Sequence, residues 1–213
     1  MADPIVREIP GAVGPLEVLF DKPTGPPRAA VVFAHPLPTQ GGTMHTKVVF
    51  QSAKALAEIG CVVLRFNFRG VGKSAGTWDN GRGELDDFRA AVDYMETNYT
   101  GLEMWAAGFS FGSYIALTAG AADPRVCALI GIAPPVERYD FDAALKSTKA
   151  KFVIHGERDE LISIRSVRAF YGRMQEPKEM VEIDRANHLF DGQASEVADA
   201  LRDLLMDFSC AKP

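Results

Sequence analysis

No stretch of this chain is apolar for long enough to span a bilayer, which argues against a transmembrane helix. Basic clusters are missing too. With 23 Lys and Arg against 28 Asp and Glu, the formal net charge is −5, which argues against nucleic acid or an anionic membrane as a partner. Cysteine is scarce: Cys61, Cys127 and Cys210 are odd in number and show no C-x-x-C spacing. Two of them lie inside apolar, strand-like runs, so buried inert thiols and a reducing cytoplasm are the expectation. Met1–Pro4 carries no basic segment leading into an apolar one, so no secretory signal is expected. The four histidines share no ligand spacing, so neither a catalytic metal nor a cofactor is implied. Repeats and low-complexity tracts are absent.

What is present is an ordinary globular composition, 47% hydrophobic and 24% charged, over 213 residues. That length fits one domain, residues 1–213, with a core large enough to dispense with metals or disulfides. Ile5–Ile9 and Leu16–Asp21 read as short strands around a Pro/Gly-rich turn, a hairpin-like start. Continuous apolar runs follow at Ala29–Ala34, Cys61–Phe66, Met104–Ala107, Val126–Ile132 and Phe152–Ile154, with a weaker one at Met180–Ile183. Such runs suit parallel strands buried on both faces. Helical periodicity lies between them. After Gly83, residues Leu85, Phe88, Val92, Met95 and Tyr99 step by three and four, as do Val197, Leu201, Leu204, Leu205 and Phe208 near the end. Lys47–Glu58, Ser113–Ala121, Ser163–Met174 and Arg138–Leu145 fit shorter helices. An α/β fold with a mostly parallel eight-stranded sheet, an N-terminal antiparallel hairpin and helices on both faces is predicted.

In such sheets chemistry gathers where strands end. Gly108-Phe109-Ser110-Phe111-Gly112 falls between an apolar strand and a small-residue helix, the setting of a nucleophile elbow. The tight turn projects the serine hydroxyl, and a Cβ at either glycine would collide with the adjoining strand and helix. His155-Gly156-Glu157-Arg158-Asp159 and Ala186-Asn187-His188 follow later strands. The order Ser110, Asp159, His188 is the nucleophile–acid–base order of this architecture. Glu157, Glu160 and Asp184 are local rivals for the acid. Helix capping is the ordinary alternative role for Ser110, and backbone bonding in a loop is that for His188.

The chain resembles the α/β-hydrolases over nearly its whole length. More narrowly, His35-Pro36-Leu37-Pro38-Thr39-Gln40-Gly41-Gly42-Thr43-Met44 and Asn67-Phe68-Arg69-Gly70-Val71-Gly72-Lys73-Ser74-Ala75-Gly76 resemble the HPxPxxGGTM and NFRGVGxSxG motifs of a group of small bacterial hydrolases. The resemblance places the acid three residues after His155-Gly156, at Asp159. It also implies an oxyanion hole from the amides of Leu37 and Phe111. The flanking Pro36 and Pro38 have no N–H, which agrees with Leu37 as donor; simple packing is the alternative role for Leu37.

The implied activity is hydrolysis of a small-molecule carboxylic ester through an acyl-enzyme, with thioester or small-amide cleavage, or a non-catalytic binding role, as alternatives. Only Pro134–Lys149 separate two strands where capped members insert a lid, so an open, uncapped site is expected. Phe109, Leu161, Leu189 and Phe190 are candidate pocket residues beside Leu37 and Phe111, favouring short uncharged acyl groups. Gly70–Ser74 imitates a phosphate-binding loop, but Asn67 stands where its first glycine belongs, so it reads as a turn. His35 and His155 are expected to be structural, His45 solvent-facing, and Trp78 packed beneath a loop.

Overall fold

The computed structural model describes residues 6–210. One eight-stranded sheet organises it, with β1 (Glu8–Gly11), β2 (Gly14–Asp21), β3 (Ala29–Ala34), β4 (Cys61–Phe66), β5 (Glu103–Phe109), β6 (Val126–Ile132), β7 (Ala150–Gly156) and β8 (Lys178–Ile183) in the order β1-β2-β4-β3-β5-β6-β7-β8. β1 and β2 pair antiparallel, β2 pairs antiparallel with β4, and every later pairing is parallel. The hairpin turn shrinks to Ala12 and Val13, with Gly11 opposite Gly14. The strand begins at Glu8; Ile5, where it was expected to start, lies outside the described residues.

The apolar runs are continuous because each strand supplies two cores. In β3, Ala30, Val32 and Ala34 face α2 (Arg82–Asn98), α3 (Phe111–Ala122), α4 (Asp142–Lys146) and α5 (Ile164–Arg173). Ala29, Val31 and Phe33 face α1 (Lys47–Glu58) and α6 (Ala194–Leu205). The period of two divides every central strand in this way. From β3 the chain turns outward to β4, then returns across β3 to β5 and continues the other way. The carboxyl ends of β3 and β5 therefore border the point where strand order reverses, the crevice where such sheets hold ligands.

Apart from Leu37 and Gln40, which border a cleft beside Ser110, both long loop motifs brace the scaffold. His35 is fully buried between the loops that leave β3 and β4. The amide of Phe68 donates to its Nε2 (3.1 Å), so the ring proton sits on Nδ1, which faces Pro36 O at 2.7 Å. Burial lowers its pKa to about 4, keeping it neutral. Asn67 accepts from the Met44 amide and donates to Glu17; Ser74 donates to Asn67 O and accepts from the Glu17 amide. Gly72 has φ 56°, and a Cβ there would lie 2.3 Å from Glu17 Oε2. The segment is thus a cross-braced turn, in keeping with its reading as one.

One expectation fails. Cys127 and Cys210 are joined in a disulfide, Cα–Cα 6.0 Å, across 83 residues of sequence. The segment after α6 folds back over the sheet, where the Cys210 amide bonds Glu103 (3.0 Å) and Phe208 packs on Trp105 and Phe152. No spacing rule along the chain foretells that return. Only Cys61 remains a buried thiol among the described residues, its pKa pushed up to about 11, chiefly by burial. Cysteine usage therefore gives no support for a reducing compartment. No helix among the described residues is long and apolar enough to cross a membrane.

The guanidinium of Arg69 lies across α2, where Gly83 leaves room; a Cβ at Gly83 would sit 1.8 Å from Arg69 Nη1. Asp87 takes both Nε and Nη2 of Arg69 (3.1 and 2.8 Å) and its backbone amide (2.9 Å), with both side chains almost completely buried. Removing the carboxylate strands a buried cation. Asp87→Ala is expected to cost about 3–5 kcal/mol, read as a fall in the urea midpoint at unchanged slope.

Candidate active site

β5 ends in Phe109, and α3 begins two residues later. The intervening Ser110 has φ 51° and ψ −121°, a strained conformation for a residue with a side chain. The turn exists because strand and helix touch through glycine. A Cβ on Gly108 would lie 2.1 Å from Gly112 O, and one on Gly112 would lie 2.3 Å from Ala34 O at the end of β3. The Ser110 amide anchors the turn to Ile132 O of β6 (2.8 Å). Although Ser110 occupies the capping position of α3, its hydroxyl makes no capping bond. Ser113 Oγ donates to Ser110 O instead (2.6 Å).

The hydroxyl of Ser110 is 2.9 Å from His188 Nε2, and His188 Nδ1 is 2.7 Å from Asp159 Oδ2. The three side chains come from the ends of β5, β7 and β8. Asp159 Oδ1 accepts from the amides of Leu161 (2.9 Å) and Ile162 (2.8 Å). Burial opposes its ionisation, but the bonds from His188, Ile162 and Leu161 outweigh that, and its carboxyl is held below the usual range. An ionised carboxylate only accepts, so the imidazole proton belongs on Nδ1 and the Nε2 lone pair faces the serine. The rivals are engaged elsewhere: Glu160 accepts from the His188 amide, Glu157 from the Arg185 amide, and Asp184 from Arg185 Nε. His155 is buried beside Asp159 and directs Nε2 to Ile162 O (3.0 Å), a loop-bracing role as expected.

Phe111 is the first residue of α3, and Leu37 precedes a short 3-10 turn, Pro38–Gln40. Neither amide donates to another protein group among the described residues. Both residues border a small cleft of about 30 Å³ with Ser110 and His188. That is far below the roughly 300–1,000 Å³ of a pocket that encloses a drug-sized ligand. Only the single short helix α4 lies between β6 and β7, and no lid covers the cleft.

The expected lining needs correction. Leu161 does border the cleft, with Ile162. Phe109 and Phe190 do not: both are fully buried in the core beneath, with ring centroids 6.1 Å apart. Phe109 also lies 5.8 Å from the imidazole of His188, so it supports that ring from below. The alternation along β5 turns Phe109 to the α1/α6 face, away from the crevice. Leu189 is 53% exposed and outside the cleft. Gln40, Pro135, Arg138 and Tyr139 complete the lining and escaped the sequence reading, because nothing local distinguishes them from loop residues. Trp78 is half-buried, its ring edge-on to Phe111 at 5.1 Å.

A family model described as serine aminopeptidase S33 (Hydrolase_4) matches residues 25–150. An uncharacterized protein of Rickettsia prowazekii (strain Madrid E) is 33% identical over 205 residues, covering 92% of this chain and 86% of that protein. An alpha-beta serine hydrolase homologue from Coxiella burnetii superposes with a TM-score of 0.90 at 38% identity, covering 96% of this chain and 98% of the other. XC6422 from Xanthomonas campestris, described as an a/b serine hydrolase without lid, reaches the same TM-score at 35% identity, covering 100% and 99%. With this sheet order, this glycine-framed elbow and these relatives, the chain belongs to the α/β-hydrolase superfamily, within the serine aminopeptidase S33 family of serine hydrolases.

Proposed function

We propose that the protein hydrolyses small carboxylic esters through an acyl-enzyme on Ser110. The observation that carries this reading is the unbroken relay from Ser110 Oγ through His188 to Asp159, opening on an uncapped cleft. A serine hydroxyl attacks a carbonyl only if a base removes its proton as the bond forms. His188 Nε2 takes that proton and returns it to the departing alkoxide, leaving Ser110 acylated. Water then attacks the acyl carbon, gives a proton to the same nitrogen, and the acid leaves as the proton returns to Ser110. Asp159 holds the tautomer and stabilises the imidazolium. The negative oxygen of each tetrahedral intermediate is assigned to the amides of Leu37 and Phe111, whose N–H groups have no partner among the described residues. The substrate is a small molecule, in keeping with the narrowness of the cleft beside Ser110.

A fluorophosphonate should add once to the wild-type protein, seen as a mass increase on the peptide holding Ser110, and not at all to Ser110→Ala. Turnover of p-nitrophenyl butyrate should fall by at least about 10⁴-fold in Ser110→Ala, and by roughly 10³–10⁴-fold in Asp159→Asn, which favours the wrong tautomer. A folded wild type without the adduct would overturn the reading in favour of a binding module.

The same relay sets a pH dependence of stability. Against the opposing effect of burial, the Asp159 carboxyl is held below the usual range by its bonds from His188, Ile162 and Leu161. A group with a lowered folded-state pKa contributes stability that is complete above its unfolded pKa and is lost as pH falls through the folded one. Stability from Asp159 should therefore be complete at neutral pH and disappear only as pH falls below the usual carboxylate range. Urea midpoints of wild type and Asp159→Asn measured over a pH series should differ most at neutral pH and converge in acid; a difference that grows on acidification would contradict the assignment.

A further inference from the structure

The cleft beside Ser110 is lined by polar groups that the hydrolytic relay does not use. Arg138 lies on the segment between β6 and α4, which two tight turns hold in place: the Val136 amide donates to Pro134 O (2.8 Å) and the Arg138 amide to Pro135 O (3.0 Å). The neighbouring Tyr139 ring is stacked on Tyr114 at 4.4 Å and edge-on to Phe111 at 5.7 Å, so the segment is fixed against the helix that starts at the nucleophile. Both residues line the cleft, and Gln40 enters it from the loop after β3. The Arg138 guanidinium has no ion pair or hydrogen bond to protein among the described residues. The Tyr139 hydroxyl and the side-chain amide of Gln40 are likewise without a protein partner among the described residues.

Among the described residues, no carboxylate lines this cleft. Glu137 and Asp140 flank Arg138 and Tyr139 in sequence, but both are exposed and outside it. Glu84 is buried and taken by the amides of Asp79 and Gly81, while Asp159 is taken by His188 and two amides. A chain of net charge −5 thus presents one cation and two neutral donors around its nucleophile. Burial holds the Tyr139 phenol above its ordinary pKa despite the opposing effect of Arg138, so it remains a donor at neutral pH. The developing oxyanion needs none of these groups, since two backbone amides are assigned to it. An arginine fork beside a carboxylate gives the strongest and most directional of the bonds available here.

Resting on the serine-hydrolase reading, we infer that the cleft selects esters carrying a second, ionised carboxylate, which Arg138 binds with Tyr139 and Gln40 as supporting donors. This replaces the short uncharged acyl groups expected from the apolar residues alone. The carboxylate would lie on the acyl or the alcohol part of the ester, a few bonds from the scissile carbonyl.

Two substrate pairs distinguish these sources. p-Nitrophenyl hemiglutarate against p-nitrophenyl butyrate places the charge on the acyl side. 4-Butyryloxybenzoate against phenyl butyrate places it on the leaving group. In at least one pair the wild type should favour the carboxylate by about tenfold or more in kcat/KM, mainly through KM, as befits a charge-assisted hydrogen bond. The ratio should shrink from 0.1 M to 1 M salt, where the Debye length falls from about 10 Å to about 3 Å. Arg138→Gln should abolish the preference, Arg138→Lys should restore part of it, and Arg138→Glu should turn it toward butyrylcholine, whose alcohol is cationic. Arg138 is exposed, and circular dichroism of each variant verifies folding. Equal rates within both pairs, or a preference undiminished in Arg138→Gln, would overturn the inference. If Ser110 still takes up fluorophosphonate, that failure leaves the hydrolase reading standing; no adduct and no ester turnover would overturn both.

Discussion

The site depends on a contact that only glycine permits. β3, β5 and the first turn of α3 approach so closely that Gly108 and Gly112 have no room for a Cβ, the obstructing atoms being backbone oxygens of Gly112 and Ala34. Backbone cannot rotate aside as a long side chain does, so the approach is rigid. It forces Ser110 into positive φ and leaves its hydroxyl out of the helix cap, facing His188. The strain, of order 1–3 kcal/mol, is carried by the two cores that press strand and helix together.

Around that contact the long loop motifs act as framework. His35, Asn67, Ser74 and Glu17 tie the loops after β3 and β4 to the antiparallel edge, and Arg69 with Asp87 ties the second loop to α2. None of these side chains borders the cleft. Their effect is to hold the backbone of Leu37 and the ring of Phe68 where the elbow can be built against them. The division is physically reasonable. A backbone amide can be aimed only by fixing the loop that carries it, which takes many buried polar bonds. Displaying a hydroxyl or an imidazole takes one residue at a strand end.

Much of this was legible along the chain. β3, β4, β6 and α1 begin and end where the apolar runs and periodicity place them, because strands buried on both faces leave uninterrupted hydrophobic segments. β5 and β7 extend further, through Phe109 and from Ala150, because ladder bonds continue past the most apolar residues. α4 starts later than expected, at Asp142, since residues 136–138 form a turn that brings Arg138 and Tyr139 to the cleft. Ser110 and His188 could be named because each follows a strand and the architecture sets their order, whereas Asp159 was separated from Glu157, Glu160 and Asp184 only by the family resemblance. The side chains that line the cleft could not, because lining depends on which way a loop residue points.

The sequence by itself determined the sheet, its two covered faces, the elbow and the absence of an inserted lid, since all of these rest on local period, glycine placement and segment length. Tertiary structure alone decided the rest. It buried Phe109 and Phe190 under the histidine, paired Cys127 with Cys210 across 83 residues and brought Arg138 and Tyr139 to the nucleophile. Each of these depends on segments distant in sequence meeting in space. Hydrophobic periodicity records which face of an element is buried, and carries no record of what that face will meet.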